Sequence, residues 1–230
     1  MKRNSLILLL IISFASVISA QNFPNVRISA SGGFSYFPVT EPSGELFIKN
    51  EAYNQYNRHL AWGKNVDGNA HYISNMGLGF GVKYRYLNVK APSTDLFVDA
   101  GSEHYGVINL SEDNDIHFIA PSVMYMRWLG DTNKLLALTS LSIGYTDLTS
   151  RGNIDGTSLV MFGNNVGYQL DLGLDYFLTK KISVGFNTGY FYSKIKEVNM
   201  GLSETKTILP ENSQLNLSNI KLNVSLALNF

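Results

Sequence analysis

The 230-residue sequence contains no cysteine. That absence excludes disulfides, thiolate nucleophiles, cysteine zinc sites and cysteine-ligated clusters. Charge is scarce too: Asp, Glu, Lys and Arg make up 16% of the chain, against about a quarter of an ordinary soluble domain. The 18 basic and 18 acidic residues cancel, so the chain lacks the basic field that nucleic-acid binding needs, and no nucleic acid is expected as a partner. Proline is sparse, with 6 residues. Beyond the first twenty residues no window approaches the roughly 18 consecutive apolar residues of a transmembrane helix. What is plentiful is glycine (20), tyrosine (13) and phenylalanine (13). Few charges, many aromatics and much glycine suit a surface covered by water poorly.

The N-terminus predicts export. Lys2 and Arg3 form a basic head, Leu6 to Ile18 is an apolar run without charge, and Ser19-Ala20 offers small residues before Gln21. This is the pattern of a secretory signal peptide cleaved near Ala20. The run is shorter than the roughly 20 residues a membrane-spanning helix requires. The expected organisation is therefore a signal peptide over 1–20 and one mature domain over 21–230.

The strongest downstream signal is alternation. Tyr72, Met76, Leu78, Phe80, Val82, Tyr84 and Tyr86 alternate with Ile73, Asn75, Gly77, Gly79, Gly81, Lys83 and Arg85. Val166 to Tyr176 repeats the pattern, with Gly167, Gln169, Asp171, Gly173 and Asp175 between the large residues. So do Ile182 to Tyr192 and Ile220 to Phe230, with a weaker version from Leu135 to Tyr145. Successive strand side chains point to opposite faces, so each segment has one apolar face and one small or polar face. The runs exceed the five or six residues of a usual strand and match the roughly 9 to 11 tilted residues of a transmembrane strand, whose apolar face looks outward. A soluble sandwich is the alternative, but its polar face should be rich in Lys, Glu and Thr rather than Gly, Asn and Ser.

The expected strands are 26–36, 71–87, 94–107, 115–129, 135–148, 159–178, 182–197 and 217–230. Eight is even, as closed single-chain bacterial barrels require. The connections alternate between short (88–93, 130–134, 179–181) and long (37–70, 108–114, 149–158, 198–216), the pattern of periplasmic turns and extracellular loops. Tyr84, Tyr86, Trp128, Tyr176 and Phe230 are expected in an aromatic girdle at the turn end. Tyr72, Tyr145, Tyr190 and Tyr192 are expected in one at the loop end. In loop 37–70, Leu46, Phe47, Tyr53, Tyr56, Leu60 and Trp62 are spaced for a short amphipathic helix.

These features, with the final strand Ile220-Lys-Leu-Asn-Val-Ser-Leu-Ala-Leu-Asn-Phe230, resemble the small eight-stranded outer-membrane β-barrel proteins of Gram-negative bacteria. The resemblance implies an all-β, closed, antiparallel up-and-down transmembrane barrel in the cell outer membrane. It implies contact with outer-membrane lipid and lipopolysaccharide, and a terminal Phe230 that is similar to the signal read by the barrel-assembly machinery. The family hosts adhesins, structural proteins, narrow pores and lipid A enzymes, so fold alone does not select a role.

Parity places Lys83, Arg85, Arg127, Asp171, Asp175 and Lys221 in the lumen, with Asp99 a further candidate. An eight-stranded barrel is only wide enough for its own side chains, so a lumen-plugging charge network is expected, with a polar track or gated pore as the alternative. His71, His104 and His117 fall where three imidazoles would converge at the loop-side rim, and His59 lies in the first loop. The pair His71 and Ser74 is similar to the His–Ser pair of outer-membrane lipid A deacylases, but a spacing of three sets the two on opposite strand faces. Neither catalytic residues, cofactor nor metal is assigned. The expected function is a non-enzymatic structural or surface-interaction protein acting through its extracellular loops on an extracellular ligand. The alternative is a narrow porin-like channel or small-hydrophobe conduit, with a lateral gap near Pro121, and the third reading is a lipid A-modifying enzyme.

Overall fold

The computed structural model describes residues 23–38, 50–99, 105–130, 132–201 and 206–230. The expected leader 1–20, together with Leu46, Phe47 and His104, lies outside them. The long strands are β1 (Val26–Tyr36), β2 (Trp62–Ile73), β3 (Leu78–Asp99), β4 (Tyr105–Leu129), β5 (Leu135–Ile154), β6 (Thr157–Phe177) and β7 (Ile182–Ile195). Helix α1 (Glu51–Leu60) precedes β2. The short strands β8 (Glu197–Met200), β9 (Lys206–Ile208) and β10 (Leu215–Asn216) precede β11 (Asn219–Asn229), which completes the wall. Each of the eight long strands pairs antiparallel with two neighbours, in the order β1-β2-β3-β4-β5-β6-β7-β11 and back to β1. At the seam, Val26 and Phe230 exchange both backbone hydrogen bonds, at 3.0 and 2.8 Å. A ring without an open edge is what a hydrocarbon environment requires, since unpaired backbone groups there cost several kcal/mol each.

The number of strands agrees with the sequence reading, but their boundaries differ in the first half. Strand β2 runs through 62–73, inside the segment expected as loop 37–70. The expected strand 71–87 is the end of β2, a tight turn at Ser74–Gly77, and the start of β3. The turn needs Gly77, whose φ is +78°; a Cβ there would fall 2.4 Å from the Met126 carbonyl oxygen. The expected turn 88–93 is continuous strand with a bulge between Ala91 and Thr94, and the expected loop 108–114 lies within β4. Most of the expected loop 149–158 is also strand. The connection shrinks to Asp155-Gly156, with φ of +49° and +83°, the left-handed geometry of a two-residue hairpin.

Strands β1, β2, β7 and β11 have 11, 12, 14 and 11 residues, close to one bilayer crossing. Strands β3 to β6 have 22, 25, 20 and 21. β2 follows β3 only as far as Gly63 opposite Val89, and β7 follows β6 only to Ser193 opposite Gly167. Half of the wall therefore rises beyond the other half on the side away from the turns, and β8 and β9 extend it sideways from β6. The outer surface is a belt of exposed apolar side chains, among them Ile28, Phe34, Phe80, Val82, Leu172 and Val224. In water such a belt would be untenable; against lipid it is the stabilising surface.

Candidate functional site

The lumen is filled in three layers. Nearest the turns, Ile73, Met124, Met126, Trp128, Leu136 and Phe177 form an apolar layer. Trp128 stacks on Phe23 at 6.2 Å and tilts against Phe177 at 4.8 Å between ring centroids. At the loop end a second apolar layer brings together Leu87, Ile116, Phe118, Leu148, Phe191 and Ile195, with Phe118 edge-on to Phe191 at 5.2 Å.

Between them lies a layer of charge. Arg27 donates to Asp175 at 2.5 Å and to Asn229 at 2.9 Å, and Ser183 also donates to Asp175. Lys83 reaches Asp171 at 2.5 Å, and Lys221 bridges Asp171 (3.0 Å) and Asp67. Arg85 donates to Ser35 and Asn219, stands 3.6 Å from Asp67, and covers the Phe191 ring at 5.3 Å. All seven charged side chains are buried. Desolvating such groups costs several kcal/mol each, repaid only by close pairing and further hydrogen bonds; the surrounding Ser and Asn side chains supply some of those bonds, while Arg27 Nε and Arg85 Nε and one terminal nitrogen of Arg85 have none. Two glycines of β7 make room for the carboxylates. A Cβ at Gly185 would fall 2.0 Å from Asp175 Oδ1, and one at Gly189 2.1 Å from Asp171 Oδ1. A small cavity of about 40 Å³ remains beside the charges.

Five of the six lumen charges expected from parity are in this layer: Lys83, Arg85, Asp171, Asp175 and Lys221. Arg127 is not. It faces outward at the turn end of β4, while its neighbours Met126 and Trp128 point into the lumen. The reason is packing: Trp128 fills the lumen mouth rather than the girdle, and Arg127 sits where a long side chain reaches the interface. Two members of the layer escaped the sequence reading. Arg27 shares inward parity with Ser29 and Ser31 on β1, a signal available once Val26 and Ile28 are taken as outward. Asp67 is on the unrecognised β2.

The girdles shift with the boundaries. Tyr72 lies beside the turn Ser74–Gly77, at the opposite end from that expected, and Tyr84 and Tyr86 stand farther up β3. The described histidines do not converge: His71 faces the lumen on β2, His117 packs outside against Tyr84 and Tyr86, and His59 is on α1. Both ring nitrogens of His71 and the Ser74 hydroxyl lack a hydrogen bond, so the two residues do not form a catalytic pair. Near Pro121 there is no lateral gap. β4 and β5 keep one register on either side, from Ile119–Tyr145 to Ser122–Ser142, and a Cβ on Gly144 would fall 2.6 Å from Ala120 Cα.

Above the membrane, α1 lies against the raised part of β3. Asn50 caps it by accepting from the Tyr53 amide at 2.9 Å, and Tyr53 and Tyr56 bury themselves against Ala91 and Leu96. Tyr56 donates to Glu112 at 3.0 Å; burial and that carboxylate push its phenol well above the ordinary tyrosine value. The outer face of this wall is a polar lattice in which Tyr86, Asn88 and Arg151 all bond Asp115, and Lys90 pairs with Asp113.

A family model described as "Outer membrane protein beta-barrel domain" matches residues 5–230. No curated protein matches the chain. Among solved structures, Neisserial surface protein A aligns at 15% identity and a TM-score of 0.49, covering 91% of this chain and all of its own. A major outer membrane protein from Thermus thermophilus aligns at 13% and 0.49, covering 89% and 99%. The outer membrane protease OmpT of Escherichia coli aligns at 8% and 0.46, covering 93% and 100%. A surface protein and a protease stand side by side here, so these likenesses select no activity. With the closed ring, the apolar belt and the match over nearly its whole length, the chain belongs to the outer membrane protein β-barrel domain family and resides in the cell outer membrane.

Proposed function

We propose that this barrel is a non-enzymatic structural and surface-interaction protein whose lumen does not conduct and whose raised outer wall makes the contacts. The observation that supports this reading is a buried charge layer held between two apolar layers. An ion crossing it would have to break buried pairs and pass through close-packed aromatics at both ends. The narrow channel is the weaker reading because the space beside the charges is about 40 Å³, room for a few waters. The conduit lacks support from the β4–β5 contact at Pro121, and the enzyme lacks it from the unpaired His71 and Ser74. In this reading the tall strands β3 to β6 and helix α1 present the ligand-binding surface, lipopolysaccharide surrounds the outer leaflet part of the belt, and Phe230 addresses the assembly machinery.

The test is electrical. Purified protein in a planar bilayer is expected to give no steady unitary conductance. Reproducible current steps would overturn the sealed-lumen reading. Unchanged mass of lipid A after incubation with the protein is expected; a change of mass that disappears in Ser74→Ala would restore the enzyme.

A further inference from the structure

The charges buried in the lumen do not balance. Among the described residues, Arg27, Lys83, Arg85 and Lys221 supply four positive charges, and Asp67, Asp171 and Asp175 supply three negative ones. His71 adds nothing when neutral and enlarges the excess when protonated. Arg27 occupies Asp175, so Lys83, Arg85 and Lys221 share only Asp67 and Asp171. An uncompensated charge at this depth is strongly unfavourable, and the described residues offer no other buried carboxylate.

The cavity lies at this point of imbalance. Three of the four cations line it (Arg27, Lys83 and Lys221), with Asp67, Asp171 and the hydroxyl-bearing Ser29 and Ser31. The lining thus carries three positive and two negative charges, a net of one positive. It also has donors to spare. Arg27 Nε, on a side chain 2% exposed, makes no hydrogen bond, and each lysine ammonium has three N–H groups. Water fills such a space sterically but brings no charge. At about 40 Å³, against the roughly 10–15 Å³ that one water needs, the cavity takes a small ion with a water or two. A tetrahedral oxyanion carrying two charges is too large and would reverse the imbalance.

We infer that the lumen cavity binds a chloride-sized monovalent anion, held by Arg27, Lys83 and Lys221 with the Ser29 and Ser31 hydroxyls. Met124 and Leu138 of the turn-end apolar layer border the cavity on one side.

The probe is bromide. Protein refolded from urea into detergent with sodium bromide as the only halide is expected to show a bromine anomalous peak in the cavity. Refolded protein should also unfold at a higher temperature in sodium chloride than in sodium gluconate of equal ionic strength, read from the gel mobility of unheated and heated samples. Lys83→Met removes the excess charge and should abolish both the peak and the salt difference. Lys64→Met, at an exposed position, should retain both. Absence of the peak in the wild-type protein overturns the proposal and leaves a neutral lysine as the resolution of the imbalance. A peak of equal height in Lys83→Met also overturns it, marking an adventitious ion only. Should Lys83→Met fail to fold, the wild-type peak and salt comparison decide alone.

Discussion

Arg27 and Asp175, separated by 148 positions in the chain, meet at 2.5 Å in the lumen, where Arg27 also donates to Asn229 and Ser183 to Asp175. The contact joins the first strand to the sixth across the barrel interior, so it exists only when the ring is closed. Asp175→Asn leaves Arg27 buried without a counter-charge and is expected to cost about 3–5 kcal/mol. The measurement is the urea midpoint of folding into detergent or lipid vesicles. Replacing both residues, as Arg27→Met with Asp175→Leu, should recover most of the loss, because the penalty lies in the orphaned charge more than in the missing attraction.

Gly189 sits where any side chain would displace the Asp171 carboxylate. Gly189→Ala is expected to destabilise the barrel by about 1–3 kcal/mol, the range for overpacking a filled interior. Gly68→Ala, where a Cβ meets nothing within 4 Å, should be neutral or slightly stabilising. Equal losses at the two sites would contradict the close packing of Asp171 against β7.

The apolar belt can be tested by depth. Val224 is central in β11 and 67% exposed, so Val224→Arg should cost about 2–4 kcal/mol for folding into vesicles, as expected near the midplane. Arg127→Ala, at the turn end, should change stability by less than about 0.5 kcal/mol. A large loss at Arg127 would return that residue to the lumen.

Helix α1 holds to the raised wall through Tyr53 and Tyr56. Tyr56→Ala empties this small core and is expected to open the 50–61 segment to protease in intact proteoliposomes, while the heat-dependent gel mobility of the barrel is kept. Tyr56→Phe, which removes only the hydroxyl bond to Glu112, should have the milder effect, about 1 kcal/mol.

How far the sequence could be read depended on what each strand face meets. Strands β6 from Val166, β7 and β11 alternate large apolar residues against mostly small or polar ones, and their faces were legible in the sequence; β5 showed the pattern more weakly, and the ends of β5 and β6 at 149–158 read as a loop. Strand β2 was hidden because its lipid-facing positions are Trp62, Lys64, Val66, Gly68, Ala70 and Tyr72, only half of them large and apolar. The turn at Ser74–Gly77 was hidden for a different reason. It has four residues, so Tyr72 and Phe80 keep the same parity, and the alternation reads straight through it. Above the membrane both faces of β4 can meet water or polar neighbours, so 108–114 reads as a loop in the sequence. At Pro92-Ser93 a bulge absorbs the break that the residues announce.

Along β6, β7 and β11 the sequence by itself determined which side chains point in and which point out, because a period of two is a local property of extended chain and lipid enforces it from outside; at Arg127 and along β2 it did not. It also determined the long apolar belt and hence the membrane. The tertiary structure alone decided which charges meet. Ring closure and register bring Arg27 to Asp175 and set Lys221 between Asp67 and Asp171, and none of these distances is encoded in spacing along a strand. The height of the wall from β3 to β6, the two apolar layers at either end of the charge layer, and, among the described residues, the excess of four buried cations over three buried carboxylates follow from the same closure.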